Sequence, residues 1–193
     1  MGETTPQSRE DRGEALCRTV VLVGMMGAGK TAVGRALATR LGVEMRDSDA
    51  EIVNSSQLSI AEIFERYGEP FFREKESAVI ARLLEGPPSV LSTGGGAWMA
   101  EANRGLLTAN AAVVWLKADL ELLWSRVRHK TTRPLLRTRS PKATLTALYA
   151  DRAPVYALAP LSVEVHADWS IEETAEHVMT ELARVGAVEG YRG

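Results

Sequence analysis

The sequence predicts an α/β fold in which a parallel five-stranded sheet is flanked by helices and carries a mobile lid. Three observations support this prediction. Short apolar runs alternate with segments of helical pattern, as they do in βαβ units. A glycine-rich turn separates the first apolar run from the first helical segment. One long polar loop interrupts the alternation, and such loops in compact domains are usually lids or disordered segments.

The elements follow the chain in order. We expect strands at the short apolar runs, residues 19–23, 43–46, 89–91, 111–116 and 162–165. Helices are expected between them. A capping-box pattern at Ser59 opens a helix that ends near Gly68, and a second helix follows over 71–84. A similar pattern at Ser170 opens the last helix, which runs to about residue 185.

Length and composition predict one domain preceded by a tail. The chain has 193 residues, of which 45% are hydrophobic and 25% charged, and its net charge is −2. We expect a single domain over 18–193 and a disordered tail over 1–17. The charge balance provides no basic field for nucleic acid, and no run is long and apolar enough for a membrane. We expect a cytoplasmic monomer, and the single cysteine fits a reducing compartment.

Residues 24–31, GMMGAGKT, match the phosphate-binding P-loop pattern. An apolar run precedes them and a helical segment over 31–41 follows, which is the context that the pattern requires. Glycines let backbone N–H groups turn toward phosphate oxygens, and the helix presents its positive end to the same anion. Lys30 would reach the β- and γ-phosphates, and the hydroxyl of Thr31 would ligate Mg²⁺. The pattern therefore predicts a nucleoside triphosphate site.

Two further polar segments follow predicted strands. Asp47 and Asp49 lie two apart, so on an extended segment both carboxylates would point to one side. One would hold Mg²⁺ and the other would accept a proton from a hydroxyl, unless Asp49 only caps the next helix. Residues 94–96 are three consecutive glycines, which favour close approach of a ligand to the main chain.

The long polar loop over 129–142 is the predicted lid. It lies in the most basic stretch of the chain, which suits a polyphosphate or a small anion. Arg73 and Arg152 are less informative by position, because an arginine on a helix or near its end is most often solvated.

Taken in order and spacing, six segments together resemble the shikimate kinase family. The segments are residues 24–31, 47–49, 72–73, 94–96, 133–136 and 152–156. The resemblance covers roughly residues 18–185. It implies a P-loop NTPase fold of the nucleoside-monophosphate-kinase type, with a substrate-binding helical region at about 48–85. It also implies transfer of the γ-phosphoryl of ATP to the 3-hydroxyl of shikimate, giving shikimate 3-phosphate and ADP.

The resemblance also implies a role for each matching residue. The expected catalytic residues are Lys30, Asp49 and Arg133, the last on the lid. The expected ATP-binding residues are Gly27, Ala28, Gly29, Lys30, Thr31, Ala32, Arg126 and Arg133. The expected shikimate-binding residues are Asp49, Arg73, Gly94, Gly95, Gly96 and Arg152. One Mg²⁺ ion would be held with ATP by Thr31 and Asp47. ATP and shikimate are the expected partners.

Two alternatives remain open from the residues alone. One is a gluconate or nucleotide kinase on the same fold, since a sugar acid also favours arginines. The other is a nucleotide-binding regulator that performs no transfer. The sequence departs from the family pattern at Glu74, where many members have a second basic residue.

Overall fold

The chain folds around a five-stranded parallel sheet, as predicted. The structure, a computed structural model, describes residues 14–129 and 134–192. Its strands are β1 (Ala15–Leu16), β2 (Val20–Val23), β3 (Met45–Asp47), β4 (Val90–Ser92), β5 (Ala112–Ala118), β6 (Leu161–Val165) and β7 (Val188–Glu189). The main sheet has the order β3-β4-β2-β5-β6, and all of its neighbouring strands are parallel.

Strand β2 lies at the centre of this sheet and leads directly into the P-loop. All four of its residues are buried, as its unbroken run of valine and leucine predicts. Val20 pairs with Val90 of β4 and with Ala112 of β5. Because the strands are parallel, their carboxyl ends meet at one edge, which is where ligands of open α/β sheets bind.

Helices cover both faces of the sheet. In the described part of the chain they are α1 (Lys30–Leu41), α2 (Ser48–Ser56), α3 (Ile60–Leu84), α4 (Glu101–Asn110), α5 (Leu120–Val127), α6 (Pro141–Tyr156) and α7 (Ile171–Arg184). Helix α1 packs against α7, and α3 packs against α4. Because α1 leads from β2 to β3 at one edge of the sheet, whereas α3 and α4 lead in the opposite direction to β4 and β5, right-handed crossovers put α1 and these two helices on opposite faces. None of the described helices has both the length and the apolar character of a membrane span.

Helix α3 contains the interruption that the sequence predicts. Gly68 has φ 78° and ψ 173°, outside the helical region, and Pro70 follows it. Glycine adopts this positive φ without steric cost, and proline has no N–H to continue the helical hydrogen bonds. The predicted capping boxes at Ser59 and Ser170 are both formed. The helical region is therefore two segments joined by a kink.

The prediction of a disordered tail over 1–17 is wrong for its last residues. Ala15–Leu16 form β1, which pairs antiparallel with β7 at the other end of the chain. Glu14 makes an ion pair with Arg40 of α1, with 2.6 Å between its Oε2 and the Nε. A two-residue strand has too few residues to show a period, so its partner in space decides its structure. Residues 1–13 lie outside the described part of the chain.

The predicted lid over 129–142 contains more helical structure than expected. Residues Pro134–Leu136 form a 3-10 turn, and α6 already begins at Pro141. Proline is favoured at the first position of a helix, where its missing N–H has no helical partner. Pro141 therefore marks the start of a helix and not a loop. Residues 130–133 lie outside the described part of the chain, and the predicted catalytic Arg133 is among them.

Candidate active site

The P-loop has the backbone conformation that its glycines predict. Gly24 and Gly27 have φ of 140° and 86°, which side-chain-bearing residues rarely adopt. Space is also limited, because a Cβ on Gly24 would lie 2.8 Å from the carbonyl oxygen of Leu116. A Cβ on Gly27 would lie 2.8 Å from Cγ1 of Val127. Both positions therefore require glycine for conformation and for packing.

Helix α1 begins beneath this loop with its N-terminus uncapped by any side chain. Its N-cap is Gly29, and its first turn contains no acidic residue. Side chains cap α2, α3, α5 and α7, so the four differ from α1 in this respect. The first N–H groups of a helix lack internal partners and carry a partial positive charge. The start of α1 is thus suited to an anion.

Two cations lie against the same loop. The Lys30 ammonium donates to the carbonyl oxygens of Gly24 at 2.7 Å and Met25 at 3.1 Å. Arg126 of α5 donates through Nη1 to the carbonyl oxygen of Gly27 at 3.2 Å. The structure therefore brings Lys30 and Arg126 to the P-loop from two different elements, as the resemblance implies.

Asp47, the last residue of β3, and Asp49 are arranged differently from the prediction. The chain does not stay extended, because α2 begins at Ser48. Asp47 is the N-cap of α2, and its Oδ1 accepts from the N–H groups of Asp49 at 3.0 Å and Ala50 at 3.1 Å. Asp49 lies in the first helical turn. The direction of the Asp49 carboxylate is therefore set by its position on a helix, and not by the two-residue period of a strand.

The glycine turn over 94–96 lies among the predicted acceptor-side residues. An ideal Cβ on Gly94 would lie 2.6 Å from Oδ1 of Asp49. A Cβ on Gly96 would lie 2.6 Å from Nη1 of Arg73. Each of these glycines therefore leaves room for a different charged side chain.

The middle glycine contacts the end of α6. A Cβ on Gly95 would lie 3.5 Å from Nη1 of Arg152 and from the hydroxyl of Tyr156. The same position is 3.8 Å from the carbonyl oxygen of Gly24. The turn consequently lies between the P-loop and the residues predicted to bind the acceptor.

Arg73 is already paired within the protein. Its Nη1 donates to Glu76 at 2.8 Å, and its Nη2 donates to Glu69 at 3.0 Å. Partial burial lowers the pKa of Arg73, but the bonds to Glu76 and Glu69 outweigh this and raise it overall. Glu76 is almost completely buried, and its burial raises the carboxyl pKa although Arg73 opposes the shift. Sequence reasoning missed Glu76, although its three-residue spacing from Arg73 on a helix is a usual pairing distance.

Buried side chains support the turn and the 3-10 segment Ala97–Met99 after it. The indole Nε1 of Trp98 donates to the Val155 carbonyl at 2.8 Å, which joins the segment to α6. Asn103 Nδ2 donates to the Ala97 carbonyl at 3.1 Å. The sequence gives no local signal for either contact, because a hydrogen bond between buried groups has no period.

Known proteins sharpen the interpretation of this site. A family model for shikimate kinase matches residues 26–183. The chain belongs to the shikimate kinase family. Shikimate kinase from Ruegeria pomeroyi is 63% identical over 169 residues, covering 88% of this chain and 87% of the relative. Shikimate kinase from Cereibacter sphaeroides is 59% identical over 179 residues, covering 91% and 89%. The predicted family is confirmed.

Solved structures of the shikimate kinase family agree in fold. Shikimate kinase from Acinetobacter baumannii, solved in complex with shikimate, has a TM-score of 0.81 and 36% identity, covering 88% of this chain and 94% of that chain. A gluconokinase from Sinorhizobium meliloti has a TM-score of 0.56 at 19% identity, which supports the shared fold alone. The predicted P-loop kinase fold is confirmed.

Proposed function

We propose that this site performs the shikimate kinase reaction with the residues that surround its glycine turn. The chain transfers the γ-phosphoryl group of ATP to the 3-hydroxyl of shikimate, giving shikimate 3-phosphate and ADP. One observation carries the assignment of the site. Gly94, Gly95 and Gly96 lie against Asp49, Arg152 and Arg73 respectively, and Gly95 also approaches the P-loop. Acceptor-side charges and phosphate-binding backbone thus meet at one turn.

In this proposal the acceptor carboxylate is bound by Arg73 and Arg152. A guanidinium presents two parallel N–H groups that match the two oxygens of a carboxylate. Arg152 donates through Nη1 to the Gly95 carbonyl at 3.4 Å, which is a long bond. Arg73 would bind the substrate beside its glutamate partners, because a guanidinium has five N–H groups and the bonds to Glu69 and Glu76 use three. Gly94–Gly96 line the same pocket with backbone.

Asp49 binds the acceptor hydroxyl in this proposal and takes its proton. A base must lie within hydrogen-bond reach of that proton, so its position matters first. The carboxylate of Asp49 lies against Gly94, on the side of the turn to which α2 brings it. The next two glycines of the same turn lie against Arg152 and Arg73, which supports a base on the acceptor side.

On the nucleotide side, residues 27–32 bind the phosphates of ATP, and Arg126 lies beside them. Lys30 exchanges the loop carbonyls for phosphate oxygens, which are stronger acceptors because they are charged. Thr31 and Asp47 supply the hard oxygen ligands that Mg²⁺ prefers. When bound, Mg²⁺ neutralises phosphate charge as transfer proceeds. Arg133 would add a further positive charge from the lid, which closes over the reacting groups and excludes water.

We also propose that the chain is a cytoplasmic monomer with one catalytic domain, which includes β1. The N-terminal strand pairs with the C-terminal strand, so the two ends belong to one folded unit. The net charge of −2 offers no general attraction for nucleic acid. Mass measurement by light scattering at working concentration tests the monomer.

The test of the proposed function is ADP release from the purified chain with Mg-ATP. The reaction is run with shikimate, with gluconate as the control acceptor, and with no acceptor. Release that requires shikimate supports the proposal. ADP release with gluconate but not with shikimate would be consistent with the kinase fold but would contradict shikimate as the substrate. ATP binding without release for any acceptor would instead indicate a nucleotide-binding regulator.

A further inference from the structure

Tyr156 connects the acceptor turn to the rest of the site, although no role has been assigned to it above. It is the last residue of α6 and is 1% exposed. Its hydroxyl donates to the carbonyl oxygen of Gly95 at 2.6 Å, a short bond for an O–H donor. The longer bond from Arg152 reaches the same oxygen. The Gly95 carbonyl therefore has one strong partner and one weak partner, both from α6.

The ring of Tyr156 is fixed independently of its hydroxyl. It stacks on Trp115 of β5 with 6.2 Å between ring centroids and 20° between planes. Trp115 in turn lies beside the P-loop, since a Cβ on Gly24 would be 3.3 Å from its Cδ1. The central sheet thus holds the ring, and the ring holds the hydroxyl at a defined place relative to the P-loop.

The hydrogen bond matters because the Ala97 N–H closes the turn on the Gly94 carbonyl at 3.1 Å, which leaves the orientation of the central Gly95–Gly96 peptide to be set by other contacts. Glycine populates positive and negative φ about equally, so the peptide between Gly95 and Gly96 rotates at low cost. A trans peptide is planar, and its N–H points away from its C=O. Fixing the Gly95 carbonyl toward Tyr156 therefore also fixes the direction of the Gly96 N–H. Arg73 contacts the same Gly96 from α3.

We infer that Tyr156 is a positioning residue for the acceptor carboxylate. Its hydroxyl sets the orientation of the Gly95–Gly96 peptide, and through it the places at which the turn and Arg152 meet that carboxylate. The inference rests on the proposed function. It adds a residue that does not touch the substrate but aligns the groups that do.

The state of the hydroxyl supports this role. Burial raises the pKa of Tyr156 to about 12, although Arg152 acts to lower it. The phenol accordingly stays protonated and remains a donor throughout neutral and mildly alkaline pH. Its donation to Gly95 does not depend on the pH at which the enzyme is assayed.

The test is Tyr156→Phe, which keeps the ring and its stacking on Trp115 and removes only the hydroxyl. Loss of one buried hydrogen bond should raise KM for shikimate by about fivefold to tenfold. KM for ATP should stay within about twofold, because the P-loop contacts are retained. Tyr149→Phe is the matched control, since Tyr149 lies two turns earlier on α6, outside the hydrogen bonds of the turn. It should leave both KM values unchanged.

A second measurement separates positioning from a merely structural role. The inhibition constant of shikimate methyl ester, which lacks the charged carboxylate, is compared in wild type and Tyr156→Phe. It should differ by less than about twofold if Tyr156 acts on carboxylate binding. An equal penalty on shikimate and the ester, or an equal rise in KM for ATP, would overturn the inference.

The two proposals fail in different ways. A wild-type protein that does not use shikimate overturns the proposed function, and the inference with it. An active wild type with an unchanged Tyr156→Phe variant overturns the inference alone.

Discussion

The nucleotide side and the acceptor side of this site are built in different ways. The P-loop is one continuous segment, residues 24–31, whose conformation follows from its own glycines. The acceptor side is assembled from α2, α3, α6 and the turn after β4, which are distant in sequence. In the proposed assignment, phosphate binding therefore depends on local backbone geometry, whereas acceptor binding depends on how helices pack around three glycines.

The two sides also differ in the groups that their cations contact. Lys30 on the nucleotide side contacts neutral carbonyl groups of its own loop. Arg73 on the acceptor side contacts two carboxylates, one of them buried. The charge of Arg73 is thus largely balanced within the protein by Glu69 and Glu76. Substitutions on the two sides should consequently affect different ligands and by different amounts.

The largest effect is expected at Lys30. Lys30→Ala removes a positive charge that is needed as negative charge moves during transfer. The loss of one such group commonly lowers kcat by about 10²–10³-fold. Turnover at saturating shikimate measures it. Lys117→Ala is the control, because Lys117 forms an exposed ion pair with Glu164 and should leave kcat unchanged. A wild-type kcat in Lys30→Ala would contradict the proposed role of the P-loop lysine in phosphoryl transfer.

The acceptor side is tested by Arg73→Ala and Arg152→Ala. Each should weaken shikimate binding by roughly 2–5 kcal/mol if the carboxylate is buried between them. ATP affinity, measured by calorimetry, should hardly change. Arg82→Ala is the control on α3, because Arg82 forms an exposed pair with Glu51. Equal losses for both ligands would contradict the division into two sides.

A smaller effect is expected from a single methyl group. In Gly96→Ala the new Cβ would lie 2.6 Å from Nη1 of Arg73, so the guanidinium must shift. Overpacking of this kind costs about 1–3 kcal/mol, and here we expect it to reduce shikimate affinity. Gly105→Ala is the control, since its Cβ meets open space in α4. It should stabilise the fold by about 0.5–1 kcal/mol. Equal shikimate affinity in the two variants would contradict the close approach of Arg73 to Gly96.

The smallest effect is expected far from both sides. Arg40 lies ten residues along α1 from Lys30, about 15 Å at the helical rise per residue. It pairs with Glu14 and Glu176 and lies 5.6 Å from the ring centroid of Tyr191. Because the network is partly exposed, Arg40→Ala should cost about 1 kcal/mol of unfolding free energy. KM for either substrate should not change. A changed KM would show that the chain ends influence the site.

The same contrast explains what the sequence could predict. The P-loop was predictable because its glycine spacing and flanking elements lie in one segment. The five strands were predictable from apolar runs, although β3 is Met45–Asp47 and begins two residues later than expected. Strand β1 was not predictable from the sequence, because its stability comes from pairing with β7 and from the ion pair between Glu14 and Arg40.

On the acceptor side the sequence predicted which residues belong to the site, but not which of these residues contact one another. The triple glycine indicated that something approaches closely, but not that Asp49 and Arg73 do so from separate helices. The residues alone suggested that the two aspartates share an extended segment, whereas α2 begins at Ser48, near the start of the helical region that the resemblance implied. The partners Glu76 and Tyr156 were not predicted, since burial and hydrogen bonding through space have no local period.

The pairing of Arg73 with Glu69 and Glu76 has a consequence for which anions this pocket admits. A carboxylate that binds Arg73 as proposed meets a guanidinium whose charge two glutamates already balance, so it gains little from long-range attraction and much from fitting the remaining N–H groups. Chloride, which has charge but no pair of oxygens to accept two parallel N–H bonds, gains little in the same place. In this proposal, selectivity comes from short-range hydrogen bonding and not from long-range electrostatic attraction. The rate of shikimate association should therefore depend only weakly on ionic strength.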